Sequence, residues 1–199
     1  IPILIRIIKI GGPAGLQGII FSLSNVVIQS SINSFGAVIL AGNSASLNIE
    51  NFIFTAMNGF SQASLTFVSQ NFGAKKYDRI NKTIFIAQVC VFLAGFIFGN
   101  LTVIFGKQLL SLYTDSPEVI ACGLDRLKII CSTYALCGMM DVMGNAIRGI
   151  GHSVLPMIVS LIGVCGFRLL WIGTIFLIPQ FHTCNTIFVS YPISWLATF

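Results

Sequence analysis

Residues 83–105, TIFIAQVCVFLAGFIFGNLTVIF, contain no charged side chain, and their length decides the solvent of the chain. A helix rising 1.5 Å per residue needs about 20 apolar residues to cross roughly 30 Å of hydrocarbon. This stretch crosses once. Apolar runs of similar length recur on both sides of it. The 199 residues are 55% hydrophobic and 9% charged, with a mean hydropathy of +0.90. Soluble domains carry roughly 25% charged residues, so the bilayer is the solvent. The chain reads as all-α, a polytopic transmembrane helix bundle.

Six spans follow from the breaks between runs: A at about 13–37, B at 43–70, C at 83–105, D at 117–148, E at 153–178, and F from 186, incomplete at 199. Residues 1–12, IPILIRIIKIGG, read as an interfacial segment or an inter-lobe connector, ended by Gly11, Gly12 and Pro13. A turn near Gly42 joins spans A and B. Ser116, Pro117 and Glu118 read as the N-cap, first position and first turn of span D. The start at Ile1 and the end at Phe199 inside an apolar run suggest a piece of a longer polypeptide, with no signal peptide legible at its start.

The net charge of +5 arises from Lys and Arg lying between the apolar runs, not from a basic face with interleaved aromatics, so no nucleic-acid partner is expected. Arg6, Lys9, Lys75, Lys76, Arg79, Lys82 and Arg148 fall on one side of the alternating spans, and Lys107, Arg126 and Lys128 on the other. The positive-inside rule makes the first side cytoplasmic. Arg168 is left in the membrane.

Six cysteines lack CxxC spacing and read mostly as buried free thiols. Cys122 and Cys184 are the one pairing left open, because both fall outside the spans. His152 and His182 read as solvated loop residues. HExxH, GxSxG, P-loop and GxGxxG signatures are absent from the sequence, and neither a metal site nor an enzyme activity is expected.

Polar residues inside spans are where function is sought. At 100° per residue Ser22, Asn25, Gln29 and Asn33 of span A fall within roughly 80° of arc. So do Ser44, Asn48, Asn51, Thr55, Asn58, Gln62, Thr66 and Ser69 of span B, again within roughly 80°. Such stripes either glue helices by hydrogen bonds or line a water-filled path. Asp141 shares a face of span D with Tyr134 and Asn145, and is the candidate for binding a cation or proton. A structural contact is its alternative role. Glu50 and Arg168 lie at similar depths, which suggests an intramembrane charge pair.

Four strings, GGPAGLQGIIFSLSNVVIQSSINSFG (11–36), FSQASLTFVSQNFGAKKYDR (60–79), MGNAIRGIGHSVLPM (143–157) and CGFRLLWI (165–172), resemble in order and spacing the C-terminal six-helix half of multidrug and toxic compound extrusion (MATE) transporters. SQNFGAKK and RGIG are the most specific parts. The resemblance covers essentially the whole chain. It implies one six-helix lobe of a two-lobe inner-membrane transporter, in a bacterial plasma membrane. Its partners would be small organic, often cationic, compounds, the lipid bilayer, and an N-terminal lobe of the same polypeptide.

The implied activity is efflux by antiport, with Na⁺ or H⁺ as coupling ion and no cofactor. Asp141 matches the acid many members carry on the tenth span. Span A holds no Asp or Glu where some relatives have one, and Asn25 and Gln29 stand in that neighbourhood. Alternatives are a lipid-linked saccharide flippase of the same superfamily, which calls for a more basic cavity than one Arg in the spans provides, and a non-catalytic membrane scaffold. A membrane-embedded enzyme would need paired acids or a metal cluster at one depth.

Overall fold

The computed structural model describes residues 2–199, apart from the side chains of Pro2, Ile3 and Arg6. Ile1 and the charge placed on Arg6 in the orientation count lie outside that description. Helix α1, Pro2–Asn33, runs through Gly11, Gly12 and Pro13 without interruption. The break expected at Gly11–Pro13 is therefore absent, and residues 2–12 are helical and continuous with the rest of α1. Proline costs one backbone donor, but a chain in lipid must satisfy its own backbone groups, and continuing the helix satisfies most of them.

The turn into α2, Ala37–Gly73, falls at residues 34–36, where Gly36 takes a φ of 99° that L side chains rarely adopt. It does not fall near Gly42. That glycine lies inside α2, where an added Cβ would stand 2.7 Å from the Val119 carbonyl oxygen. Its role is close helix packing. Helix α3, Tyr77–Ile104, contains the opening apolar stretch and leads to the short α4, Gly106–Ser111.

Span D divides into α5, Pro117–Cys131, and α6, Tyr134–Gly149. At the break Thr133 Oγ1 donates to the carbonyls of Ile129 and Ile130, each at 3.1 Å. Such back-bonding bends helices, which is why the apolar pattern continues while the helix does not. Ser116 occupies the N-cap position but its side chain makes no cap bond. Span E is α7, Val154–Ser160, then a π-helical turn, Leu161–Gly166, then α8, Phe167–Gly173. Two 3₁₀ turns lead to α9, Cys184–Thr198.

Helix α2 is the centre of the lobe, packed by α3, α5 and α6. Ile49, Ile53 and Met57 of α2 meet Val91 of α3, Leu127 and Ile130 of α5 and Val142 of α6 in one buried cluster. Lipid tails are as apolar as leucine, so close backbone approach at small residues is what draws such helices together. Ser46 Oγ of α2 donates to the Gly123 carbonyl of α5 at 3.0 Å, beside Gly42. On α3, Gly95 lies against Ala135 and Gly99 against the Cys131 carbonyl.

The opposite face of α3 exposes Phe85, Phe92, Phe96 and Ile97, which would be costly in water and is at no disadvantage in hydrocarbon. Among the described residues three segments are long and apolar enough to cross a membrane: Ile7–Asn33, Tyr77–Ile104 and Val154–Leu177. Helix α2 is longer still, and its polar stripe is what lowers its hydropathy.

Candidate functional site

A cavity of about 560 Å³ opens between α1, α2, α5, α6, α8 and α9. Its charged lining comes from four helices: Glu50 on α2, Arg126 on α5, Asp141 and Arg148 on α6, and Arg168 on α8. Gln17, Asn25 and Gln29 of α1, Asn51 of α2, and the rings of Phe21, Phe54, Tyr134, Tyr191 and Trp195 complete the walls.

Glu50 does not pair with Arg168. Its carboxylate takes two hydrogen bonds from Arg126, Nε to Oε1 at 2.8 Å and Nη2 to Oε2 at 2.8 Å. Arg126 Nη1 donates to Asn43 Oδ1 at 2.9 Å, and Asn43 Nδ2 donates to Gln29 Oε1 at 3.1 Å. Gln29 Nε2 in turn donates to Asn33 Oδ1 at 3.3 Å. One polar chain thus ties α5 through α2 to α1. Arg126 is 1% exposed, so it is a charge buried among the helices and not a solvated loop charge like its neighbours. Its neighbours Asp125 and Lys128 are exposed, and a lone arginine between them offers no sign in the sequence of which way it turns.

A buried ion pair survives in a medium of low polarity only when both partners are also well hydrogen-bonded. This one is: the guanidinium matches the carboxylate as a fork and has a third acceptor in Asn43. The rings of Phe188 and Tyr191 lie 5.2 and 5.4 Å from its Cζ.

Arg168 makes a different set of contacts. Its Nε donates to Ser194 Oγ at 2.9 Å, and its Cζ lies 3.9 Å from the Tyr191 ring centroid and 5.8 Å from that of Trp195. The π-helical turn just before Phe167 shifts the helix face on which Arg168 emerges, a use of π-turns common at functional sites.

Asp141 lines the cavity with Tyr134. Asn145 does not line it. It is buried and accepts a hydrogen bond at 3.0 Å from Arg148, which also donates to Gln17 of α1. Asn33 lies outside the lining and takes part only through Gln29. Asn48 lines a smaller hollow together with Asn51. Asn58 and Gln62 line neither, and pair with each other on the outer face of α2.

All eight residues of the α2 stripe are exposed, as are Ser22, Asn25 and Asn33 on α1. The side chains of α2 that enter the lobe are others: Asn43, Ser46, Glu50, Ser61 and Ser64. The stripe therefore does not glue helices of this lobe together.

The six cysteines are free thiols; Cys122 and Cys184 border one small hollow without being bonded. His182 is exposed, as expected of a loop histidine; its Nδ1 donates to the Phe176 carbonyl at 3.0 Å and its ring stacks on that of Phe176 at 4.2 Å.

The family model MatE matches residues 13–184. The chain is 23% identical over 164 residues to the probable multidrug resistance protein YoeA of Bacillus subtilis, covering 82% of this chain and 35% of that protein. It is 24% identical over 164 residues to the probable multidrug resistance protein NorM of Thermotoga maritima, with the same coverage of 82% and 35%. The chain thus spans about a third of the length of these relatives. Its fold is similar to the Vibrio cholerae MATE transporter VcmN in its bent form, with a TM-score of 0.84, 22% identity, and coverage of 96% of this chain and 43% of that one. A family match over most of the chain, a helical lobe with lipid-facing aromatics and a polar cavity among its helices agree: the chain is an integral membrane protein of the MatE family of transporters.

Proposed function

We propose that this chain is the C-terminal lobe of a two-lobe exporter that moves organic compounds out of the cell by alternating access, in exchange for Na⁺ or H⁺. The single observation that carries this reading is the α2 stripe, eight polar side chains in line, all turned away from the core of the lobe. Polar side chains facing lipid are costly, so such a stripe belongs against water or protein. A water-filled cleft shared with an N-terminal lobe of the same polypeptide meets that need. The relatives' greater length supports the second lobe.

Asp141 is the proposed coupling residue. It lines the cavity and, among the described residues, makes no ion pair within 4.0 Å, which leaves its carboxylate for a cation or proton. Arg148, two turns along the same helix and held by Gln17 and Asn145, is placed to respond to that charge. Three arginines in the cavity also bear on the second reading, a flippase for lipid-linked phosphates, since such cargo needs a basic cavity.

Export of ethidium and of 6-carboxyfluorescein from cells producing the full-length protein, with the Na⁺ and H⁺ gradients collapsed separately, tests the proposal. The expected result is export that stops with one gradient and is lost in Asp141→Asn. No export of either dye from a well-inserted parent would contradict it.

A further inference from the structure

We infer that Arg168 is an anion-recognition residue, and that the cavity takes an organic compound bearing a carboxylate or similar oxyanion on a flat apolar body. This rests on the reading of the cavity as a substrate site and names the substrate class.

The charges of the cavity do not balance. Three arginines line it against two acids. Arg126 is neutralised by Glu50 in a two-point pair. Arg148 and Asp141 lie on one face of α6, seven residues apart. Arg168 has no acid: among the described residues no carboxylate lies within 4.0 Å of it. Whichever protonation state Asp141 takes, the excess charge is positive.

Its donors are also unspent. A guanidinium carries five N–H groups, and only Nε of Arg168 has an acceptor among the described residues, the Ser194 hydroxyl. Neither terminal nitrogen is among the buried atoms that lack a partner, so both stay open to the cavity. A side chain only 5% exposed, carrying a full charge and free parallel donors, is costly unless something accepts from it.

The surroundings hold this group still. Ser194 Oγ accepts from Nε while donating to the Tyr191 carbonyl at 2.7 Å, and the guanidinium Cζ lies over the Tyr191 ring, 3.9 Å from its centroid. A guanidinium fixed over a ring presents a planar fork that suits the two oxygens of a carboxylate or phosphate. Phe21 and Phe54, which line the same cavity, offer apolar surface for the body of the ligand.

The test is equilibrium dialysis of 2-naphthoate and its matched cation 2-naphthylmethylammonium against the full-length protein in phosphatidylcholine nanodiscs. The expected result is preference for the anion, weakened about tenfold or more by Arg168→Gln and partly restored by Arg168→Lys, with cation binding not weakened. Ser194→Ala, which keeps the charge and loosens its aim, should weaken the anion by a smaller factor. The wild-type preference needs no variant, so a poorly folding Arg168→Gln protein does not remove the test. Equal binding of both probes, or a loss in Arg168→Gln that falls equally on both, would overturn the inference. Displacement of 2-naphthoate by phosphatidylglycerol in the disc would overturn the assignment to a soluble compound. Anion binding without gradient-driven export would leave this inference standing and remove the exporter reading.

Discussion

Arg126 on α5 grips both carboxylate oxygens of Glu50 on α2, at 2.8 Å each, in a pocket where the two side chains are 1% and 5% exposed. Breaking one partner of a buried pair leaves the other charged and unpaired, which costs about 3–5 kcal/mol. Glu50→Gln and Arg126→Gln should each lower thermal stability in detergent strongly, and the double variant should lose clearly less than the two together. A Glu50→Gln, Arg168→Gln double variant should show the weaker coupling. Equal coupling in both pairs, measured by melting, would mean that Arg168 shares the carboxylate.

Close approach of α3 to α5 requires the absence of a side chain at Gly99, where a Cβ would be driven into the Cys131 carbonyl. Gly99→Ala should cost about 1–3 kcal/mol, the usual range for overpacking. Gly59 is exposed on α2 with no neighbour within 4 Å of an added Cβ, so Gly59→Ala should be neutral or stabilise by about 0.5–1 kcal/mol. Melting temperatures moving the same way in the two variants would count against this packing.

Asn43, 2% exposed, is the adaptor between Arg126 and Gln29. Asn43→Ala strands a guanidinium donor and the Gln29 acceptor, at a cost of about 1–3 kcal/mol for each buried group left unpaired. Hydrogen exchange should then rise at the end of α1 around Gln29 and Asn33, which the chain of bonds tethers. Unchanged exchange there would show that α1 is held by its packing on α2, α7, the π-helical turn and α8 without the bond chain.

Much of the architecture is legible in the sequence because a bilayer imposes one rule on every span: about 20 apolar residues with internally bonded backbone. Hydropathy locates α3 well for that reason. It says nothing of where Thr133 bends span D, since the break is made by a hydroxyl and leaves the apolar pattern intact. Of the candidate site, Asp141, Tyr134, Asn25, Gln29 and Glu50 stand out as polar groups in apolar surroundings, and all five line the cavity. Arg126 hides among exposed Asp125 and Lys128, and its pairing depends on the tertiary meeting of α2 and α5. Depth along separate helices suggests Arg168 for Glu50 because it carries no information about which helices are neighbours. Tyr191 and Trp195 pass for ordinary membrane aromatics until two arginines are seen against them.

Thiol accessibility distinguishes an α2 stripe that borders water from an α3 outer face that borders lipid. Asn51→Cys, Asn58→Cys and Phe92→Cys versions of the full-length protein in membranes would be treated with a charged methanethiosulfonate, and the label located by peptide mass spectrometry. Labelling should be rapid at positions 51 and 58 and absent at 92. Stripe positions as unreactive as position 92 would mean that the stripe does not border water.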